Sequence, residues 1–288
     1  MQIIICMDRE KFTDICSIRK AGMDNKESQC EIIYADSKDT LNIPDQYDIT
    51  GKSLVLLTDL PEVCSMAAEK GICCVGLESS EGELTDAWCC LQPPIDLDLS
   101  WLEMQMCHYY DLPYVLFEED GIRIRESRDT DMARILEILQ ETSLSVEGFP
   151  GRSETEEAAC GEFEAEQNIF HAYTTQMYRM WGFGMWTIER DDGSSSPDSI
   201  GWCGLFPTEL PGGGVELGYV IAPEEQGKGI GYSVCSRILS YADQHLDLDT
   251  IYLRVTETNI QSIRLAEKLG FLKSHEEGRD RVYYRSRN

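Results

Sequence analysis

Basic residues are scarce in this 288-residue chain: 25 Lys and Arg stand against 52 Asp and Glu, for a formal net charge of −27. Gripping a phosphate backbone takes dense Lys and Arg, so no nucleic-acid partner is expected. A cation would instead be drawn in. No apolar run approaches the ~20 residues of a membrane span, so no membrane partner is expected either. No basic region precedes the apolar start Met1–Met7 and no small-residue cleavage site follows it, which points to a cytoplasmic protein. The 12 Cys include no C-x-x-C pair; the doublets Cys73–Cys74 and Cys89–Cys90 suit buried small hydrophobes in a reducing compartment. His108, His171, His245 and His275 form no H-x-x-x-H or H-E-x-x-H pair, so no metal site is expected.

What is present is ordinary globular composition, 42% hydrophobic and 27% charged. At ~150 residues per domain the length suggests two domains. Through about residue 115, short apolar runs alternate with polar helical stretches, the signature of a layered α/β unit. Gln2–Cys6, Glu31–Ala35, Ser53–Thr58 and Ile72–Leu77 read as strands, apolar throughout as in a parallel sheet covered on both faces. Pro61 opens a helix to Lys70 and Gly71 ends it. The segment Leu54–Leu77, LVLLTDLPEVCSMAAEKGICCVGL, resembles the late β-α-β unit of haloacid-dehalogenase-like phosphatases. That resemblance carries no catalytic residue: the nucleophile of those enzymes lies in a D-x-D after the first strand, where Met7 and Asp8 stand here. Asp96 and Asp98 form a D-x-D behind Pro93–Pro94 rather than behind a strand, and Gly51–Ser53 form a GKS without the upstream glycine of a P-loop.

A helix around Trp101–Tyr110 and the acidic run Glu118–Asp120 before Gly121 place the seam near residue 120. Residues 1–120 then form a small doubly wound, Rossmann-like domain of unassigned role, and residues 121–288 a second domain. Up to 120 there are 8 basic and 24 acidic residues, and beyond it 17 and 28; the nets of −16 and −11 make neither half a basic tail. In the second domain Ile122 and Ile124 begin a strand. Asp129 is suited to cap a helix whose apolar residues Met132, Ile135, Leu136 and Leu139 follow helical periodicity. Glu154–Met180 reads as a further helical region, followed by strands at Met185–Glu189, Ile200–Phe206 and Val215–Ile221.

The informative stretch is Val215–Gly231, VELGYVIAPEEQGKGIG: a strand, a glycine-rich loop and the start of a helix with apolar Val234, Cys235, Ile238, Leu239, Ala242 and Leu246. Gly227, Gly229 and Gly231 let backbone turn tightly and approach a ligand, while the first helical N–H groups and the dipole favour an anion. Such a loop suits a pyrophosphate. A dinucleotide G-x-G-x-x-G would need glycine at 232, where Tyr232 stands. Thr250–Val255 is then an alternating strand, Asn259 starts a helix, and Gly270 with Phe271 closes it.

QGKGIG followed by NIQSIRLAEKLGF is similar to the paired motifs of the GNAT superfamily of acetyl-CoA-dependent N-acetyltransferases, a likeness that covers residues 121–287. WGFGMW, GWCGL and VELGYVIAPEEQGKG resemble its Rim-like branch, which acetylates ribosomal-protein N-termini and has relatives that act on small amines. The resemblance implies an α+β domain with a mixed, splayed sheet. It also implies direct acetyl transfer from the co-substrate acetyl-CoA to a primary amine, through a tetrahedral intermediate and without a metal. Tyr219, Val220 and Ile221 would offer backbone groups to the pantetheine arm, as an added strand does. Gln226, Gly227, Lys228, Gly229, Ile230 and Gly231 would hold the pyrophosphate, with Lys228 a cation that could equally face solvent. Asn259 and Ser262 match positions near the thioester end of the arm, and their alternatives are a helix cap and a surface hydroxyl.

Glu216 is the candidate general base. On a strand it points away from the face shared by Val215, Leu217, Tyr219 and Ile221, and an incoming ammonium must lose a proton before it attacks. Its alternative is a structural strand partner. Many GNAT enzymes carry a Tyr four residues after the Ser262 position to protonate the leaving thiolate; Ala266 stands there, so the general acid is unassigned, with Tyr219, Tyr283 and Tyr284 as possible substitutes. Covalent catalysis through Cys203 or Cys235 is disfavoured, since neither has a His nearby in sequence. The acceptor region would include Phe149, Pro150, Gly151 and the His171–Met180 helix, with Trp181, Trp186 and Trp202 lining a pocket or filling the core. The expected acceptor is a basic peptide N-terminus or a small cationic amine. The rival reading is a CoA-binding sensor or interaction protein whose GNAT domain no longer turns over. Oligomeric state is left open.

Overall fold

The computed structural model describes residues 1–7, 9–19, 31–35, 52–80, 82–142, 170–172, 174, 176, 178–191, 193, 197–208, 210 and 214–287. The chain folds as two compact units, Met1–Tyr114 and Val115–Asn288. The first contains β1 (Gln2–Cys6), α1 (Arg9–Ile15), β2 (Cys16–Arg19), β3 (Glu31–Tyr34), β4 (Leu54–Thr58), α2 (Pro61–Lys70), β5 (Cys73–Leu77), β6 (Cys89–Leu91), β7 (Ile95–Asp98) and α3 (Leu99–Tyr109). Its parallel sheet has the order β3-β1-β4-β5-β6, and β2 pairs with β7 separately.

Because β1 and β4 are apolar at successive positions, both faces of the sheet are buried. Ile3, Ile5, Val55 and Leu57 pack with Phe12, Leu102 and Met106 on one face. Ile4, Leu54 and Leu56 pack with Val63, Cys64 and Ala67 of α2 on the other. This is a doubly wound unit. Gly71 ends α2 at φ +66°, a left-handed conformation that costs glycine little. Asp98 accepts the Ser100 N–H at 2.9 Å as the N-cap of α3, which accounts for one half of the D-x-D. Every described cysteine is a free thiol. Among the described residues no helix is long and apolar enough to cross a membrane.

The second unit contains β8 (Val115–Glu119), β9 (Ile122–Glu126), α4 (Met132–Thr142), α5 (Tyr178–Trp181), β10 (Met185–Arg190), β11 (Asp198–Pro207), β12 (Val215–Ile221), α6 (Ile230–His245), β13 (Thr250–Thr256), α7 (Ile260–Lys268), β14 (Leu272–Glu277) and β15 (Asp280–Ser286). Its sheet has the order β14-β15-β13-β12-β11-β10-β9-β8. Neighbours are antiparallel except β12 and β13, so the sheet is mixed. The unit begins at Val115 rather than 121, because β8 pairs with β9 and belongs to this sheet.

One sequence expectation is corrected here, one alternative is resolved, and one falls outside the described residues. The carboxylate of Asp131, not Asp129, accepts the Arg128 N–H at 2.7 Å at the start of the Asp129–Asp131 turn that leads into α4; Asp129 meets Thr174 Oγ1 at 3.0 Å and His171 Nδ1 at 2.7 Å. Trp186 and Trp202 are wholly buried core residues, whereas Trp181 is 43% exposed. Of the helical region Glu154–Met180, residues 154–169 lie outside the described residues, as do Phe149, Pro150 and Gly151.

Candidate active site

The site begins with a break in the sheet. The strands β12 and β13 pair only at Val215↔Ile251 and Glu216↔Tyr252. Beyond Glu216, β12 continues against β11 through Ile221, while β13 continues against β15 through Thr256. The two parallel strands therefore diverge, and the β12 edge from Leu217 onward has no β13 partner.

Strand alternation puts different chemistry on the two faces. Glu216, Gly218 and Val220 face α4. Val220 packs with Trp202, Met132, Ile135, Ile138 and Leu139, and Phe206, opposite Glu216 in register, packs against that cluster. A Cβ at Gly218 would stand 3.1 Å from the Phe206 ring and 3.4 Å from Trp202, so a side chain there would push on the Phe206 ring. Glu216 is half-buried beside Arg254, whose Nε lies 3.8 Å from Glu216 Oε2 and whose Nη2 lies 3.7 Å from Glu277 Oε2. The alternation of β13 brings Arg254 to that face, a pairing invisible until the β12–β13 register is known.

On the opposite face Tyr219 points between the first turns of α6 and α7. A methyl at Gly231 would lie 3.4 Å from its ring, and its hydroxyl is 2.8 Å from Ser262 Oγ. Burial pushes the Tyr219 phenol up to about 12, against the pull of the Ser262 hydrogen bond. Asn259 caps α7, its Oδ1 accepting the Ser262 N–H at 3.1 Å. Ala266, one turn further on, is wholly buried. Tyr283 is buried and Tyr284 half-buried on β15. Cys203 and Cys235 are wholly buried, and burial pushes both thiols up, away from a reactive thiolate.

The loop between β12 and α6 is shaped by glycine. Gly227 and Gly229 take φ of +73° and +83°, and nothing lies within 4 Å of where a Cβ would be at either. Gly229 is the N-cap of α6 and no side chain caps it, so the N–H groups of Ile230, Gly231 and Tyr232 precede the first helical bond, Ser233 N–H to Gly229 O at 3.1 Å. Gln226 turns inward instead, donating its side-chain amide to the Ile221 carbonyl at 2.9 Å. That bond closes the loop and occupies one of the carbonyls expected to meet a pantetheine arm. Lys228 is exposed and lies 3.0 Å from Glu225, which Arg190 also engages; these two cations hold the Glu225 carboxyl below the usual carboxylate range, Arg190 foremost. Among the described residues no three His, Cys, Asp or Glu side chains converge as a metal site requires.

These features, an open strand edge leading to an uncapped, glycine-lined helix start, fit a ligand with an amide-bearing arm and an anionic end. The family model described as Acetyltransferase (GNAT) domain matches residues 122–272, more than half of the chain. Spermidine N(1)-acetyltransferase of Vibrio cholerae serotype O1 is 41% identical over 58 residues, 20% of this chain and 34% of that protein. The putative ribosomal N-acetyltransferase YdaF of Bacillus subtilis is 38% identical over 66 residues, 23% of this chain and 34% of that protein. The chain thus spans about a third of the length of these curated relatives. Among solved structures, a variant of the V. cholerae spermidine N-acetyltransferase SpeG aligns at 21% identity and a TM-score of 0.46, covering 59% of this chain and 95% of that one. Ribosomal-protein-S5-alanine acetyltransferase from Vibrio fischeri aligns at 17% and 0.45, covering 60% and 96%. On the match over residues 122–272, the chain belongs to the GNAT acetyltransferase domain family.

Proposed function

We propose that the chain is an acetyl-CoA-dependent N-acetyltransferase that moves acetyl directly to a primary amine. The observation that carries this reading is the divergence of β12 from β13 immediately after Glu216, with the glycine loop and the uncapped start of α6 at the end of the same strand. Acetyl-CoA supplies an acyl group activated as a thioester. The backbone of Tyr219 and Val220 on the open edge would hold its arm, and Gly227–Gly231 with the first turn of α6 its diphosphate, where amide N–H groups meet negative charge at low reorganisation cost. Lys228 would add a cation after leaving Glu225, or neutralise Glu225 where it stands.

Glu216 would serve as the base. Its carboxylate faces α4, opposite the Tyr219 side chain, so the amine and the leaving thiol would occupy different faces of the strand. A free α-amino group titrates near ~8 and a lysine-like amine near ~10, so at neutral pH the nitrogen arrives protonated and needs an acceptor for that proton. Arg254 lies on the same face, its Nε 3.8 Å from the carboxylate. The acceptor class is a cationic amine, a polyamine or a basic peptide N-terminus. The names of the two curated relatives and the chain's net charge of −27 support it.

Calorimetry with acetyl-CoA, together with CoA release over polyamines, aminoglycosides and N-terminal peptides, tests the reading. Glu216→Gln should lower kcat about 100-fold or more on the best acceptor and leave acetyl-CoA affinity unchanged. Absence of acetyl-CoA binding by the wild-type chain would end the proposal. Tight binding with no turnover on any amine would favour the sensor.

A further inference from the structure

Position 266 holds a wholly buried alanine, so α7 offers no hydroxyl there. One turn earlier on the same helix face stands Ser262, with its backbone N–H fixed by the Asn259 cap at 3.1 Å. Tyr219 reaches Ser262 from the part of β12 that has left β13, and the two hydroxyls lie 2.8 Å apart. The ring packs beside Gly231, where a methyl would stand in van der Waals contact with it at 3.4 Å. The phenol therefore stands where the open β12 edge and the first turns of α6 and α7 meet, on the face opposite Glu216.

We propose that Tyr219 is the general acid of the transfer and that Ser262 is its positioning residue, the Ser262 hydroxyl donating to the phenol oxygen so that the phenol O–H is directed at the leaving sulfur. This rests on the acetyltransferase reading above and names the acid that Ala266 leaves unfilled. As the amine nitrogen bonds to the acyl carbon, the carbon–sulfur bond breaks and its electron pair stays on sulfur. The Tyr219 proton goes to that sulfur, which leaves as the thiol. The phenolate, held by the Ser262 O–H, regains a proton from water; of the two protons the ammonium nitrogen loses, one passes to Glu216 before attack and the other leaves the nitrogen as the intermediate collapses, and both go on to solvent. One proton is released per acetyl group moved. The half-buried phenol keeps its proton across the working range, since desolvation pushes it up to about 12, and the Ser262 hydrogen bond, which pulls the other way, stabilises the phenolate once formed.

The test separates binding from chemistry. Tyr219→Phe should bind acetyl-CoA as wild type does and lose about 100-fold or more in kcat, with KM for the amine little changed. A second readout needs no turnover. If the phenol donates to sulfur, the thiol of bound CoA titrates below its solution value, so wild-type affinity for CoA rises with pH through the alkaline range. That rise should vanish in Tyr219→Phe and shrink in Ser262→Ala. Should Tyr219→Phe fail to fold, trifluorotyrosine at 219 keeps the shape and acidifies the phenol, so the alkaline limb of kcat should move to lower pH. Unchanged kcat in Tyr219→Phe, an unmoved alkaline limb with the fluorinated residue, or a pH-independent CoA affinity in wild type would each overturn Tyr219 as the acid while leaving an active acetyltransferase. Failure of the wild type to bind acetyl-CoA would overturn both readings.

Discussion

At the scale of single residues, the most constrained charges lie outside the proposed site. Arg125 on β9 holds both oxygens of Asp131, at 2.7 and 2.8 Å, and Glu189 on β10 at 2.8 Å; Asp131 also accepts from Thr187 at 3.0 Å and from the Arg128 backbone. Burial pushes the Asp131 carboxyl up, but Arg125 and the other donors outweigh it and hold the group below the usual range. A depressed folded-state pKa contributes stability above the unfolded value, near ~3.9, and that contribution is lost as pH falls through the folded value. Asp131→Asn should therefore cost about 3 kcal/mol in urea unfolding at pH 7, since it leaves a buried guanidinium short of one partner. The difference should shrink as pH drops below ~4; a gap that persists there would show that packing, not charge, is responsible. Glu189 could not be paired with Arg125 from the sequence, because those two become neighbours only through the β9–β10 register. Glu216 differs: strand alternation alone assigned it a face opposite Tyr219, although its neighbour Arg254 stayed hidden.

Among the elements, the β12–loop–α6 unit was the most legible, because its physics is local. Three glycines at alternate positions before a long amphipathic helix permit few backbone paths, and two of them adopt the left-handed conformation that explains their presence. Gly229→Ala should lower stability by about 1–2 kcal/mol, the cost of φ +83° for a residue with a Cβ, read by thermal unfolding. It should also weaken acetyl-CoA about tenfold or more by calorimetry, because the methyl enters the space proposed for the diphosphate. Lost stability with full affinity would move the diphosphate elsewhere. The strands of the first unit were legible for a similar reason, since unbroken apolar runs bounded by Pro61 and Gly71 admit little but a covered parallel sheet. The start of the second unit was less so: β8 carries an acidic end that reads as linker, and only its ladder with β9 makes it a strand.

For the whole molecule, the governing quantity is charge. With a net of −27, long-range attraction should raise the encounter rate of a cationic acceptor. Since the Debye length contracts from ~10 Å at 0.1 M to ~3 Å at 1 M salt, kcat/KM for a polyamine should fall roughly tenfold between low and high salt. A monoamine should lose distinctly less; equal slopes would mean that the charge does not steer the acceptor. Composition, the parity of residues along each strand and the glycine spacing after β12 are properties of neighbours in the chain, so sequence alone determined the layered α/β character, the face of Glu216 and the loop. The divergence of β12 from β13, the meeting of Tyr219 with Ser262, and the Arg254 partner of Glu216 join residues roughly 40 positions apart. Those contacts depend on register and crossing between elements, which nothing in a single chain's local pattern encodes, and only the folded structure decided them.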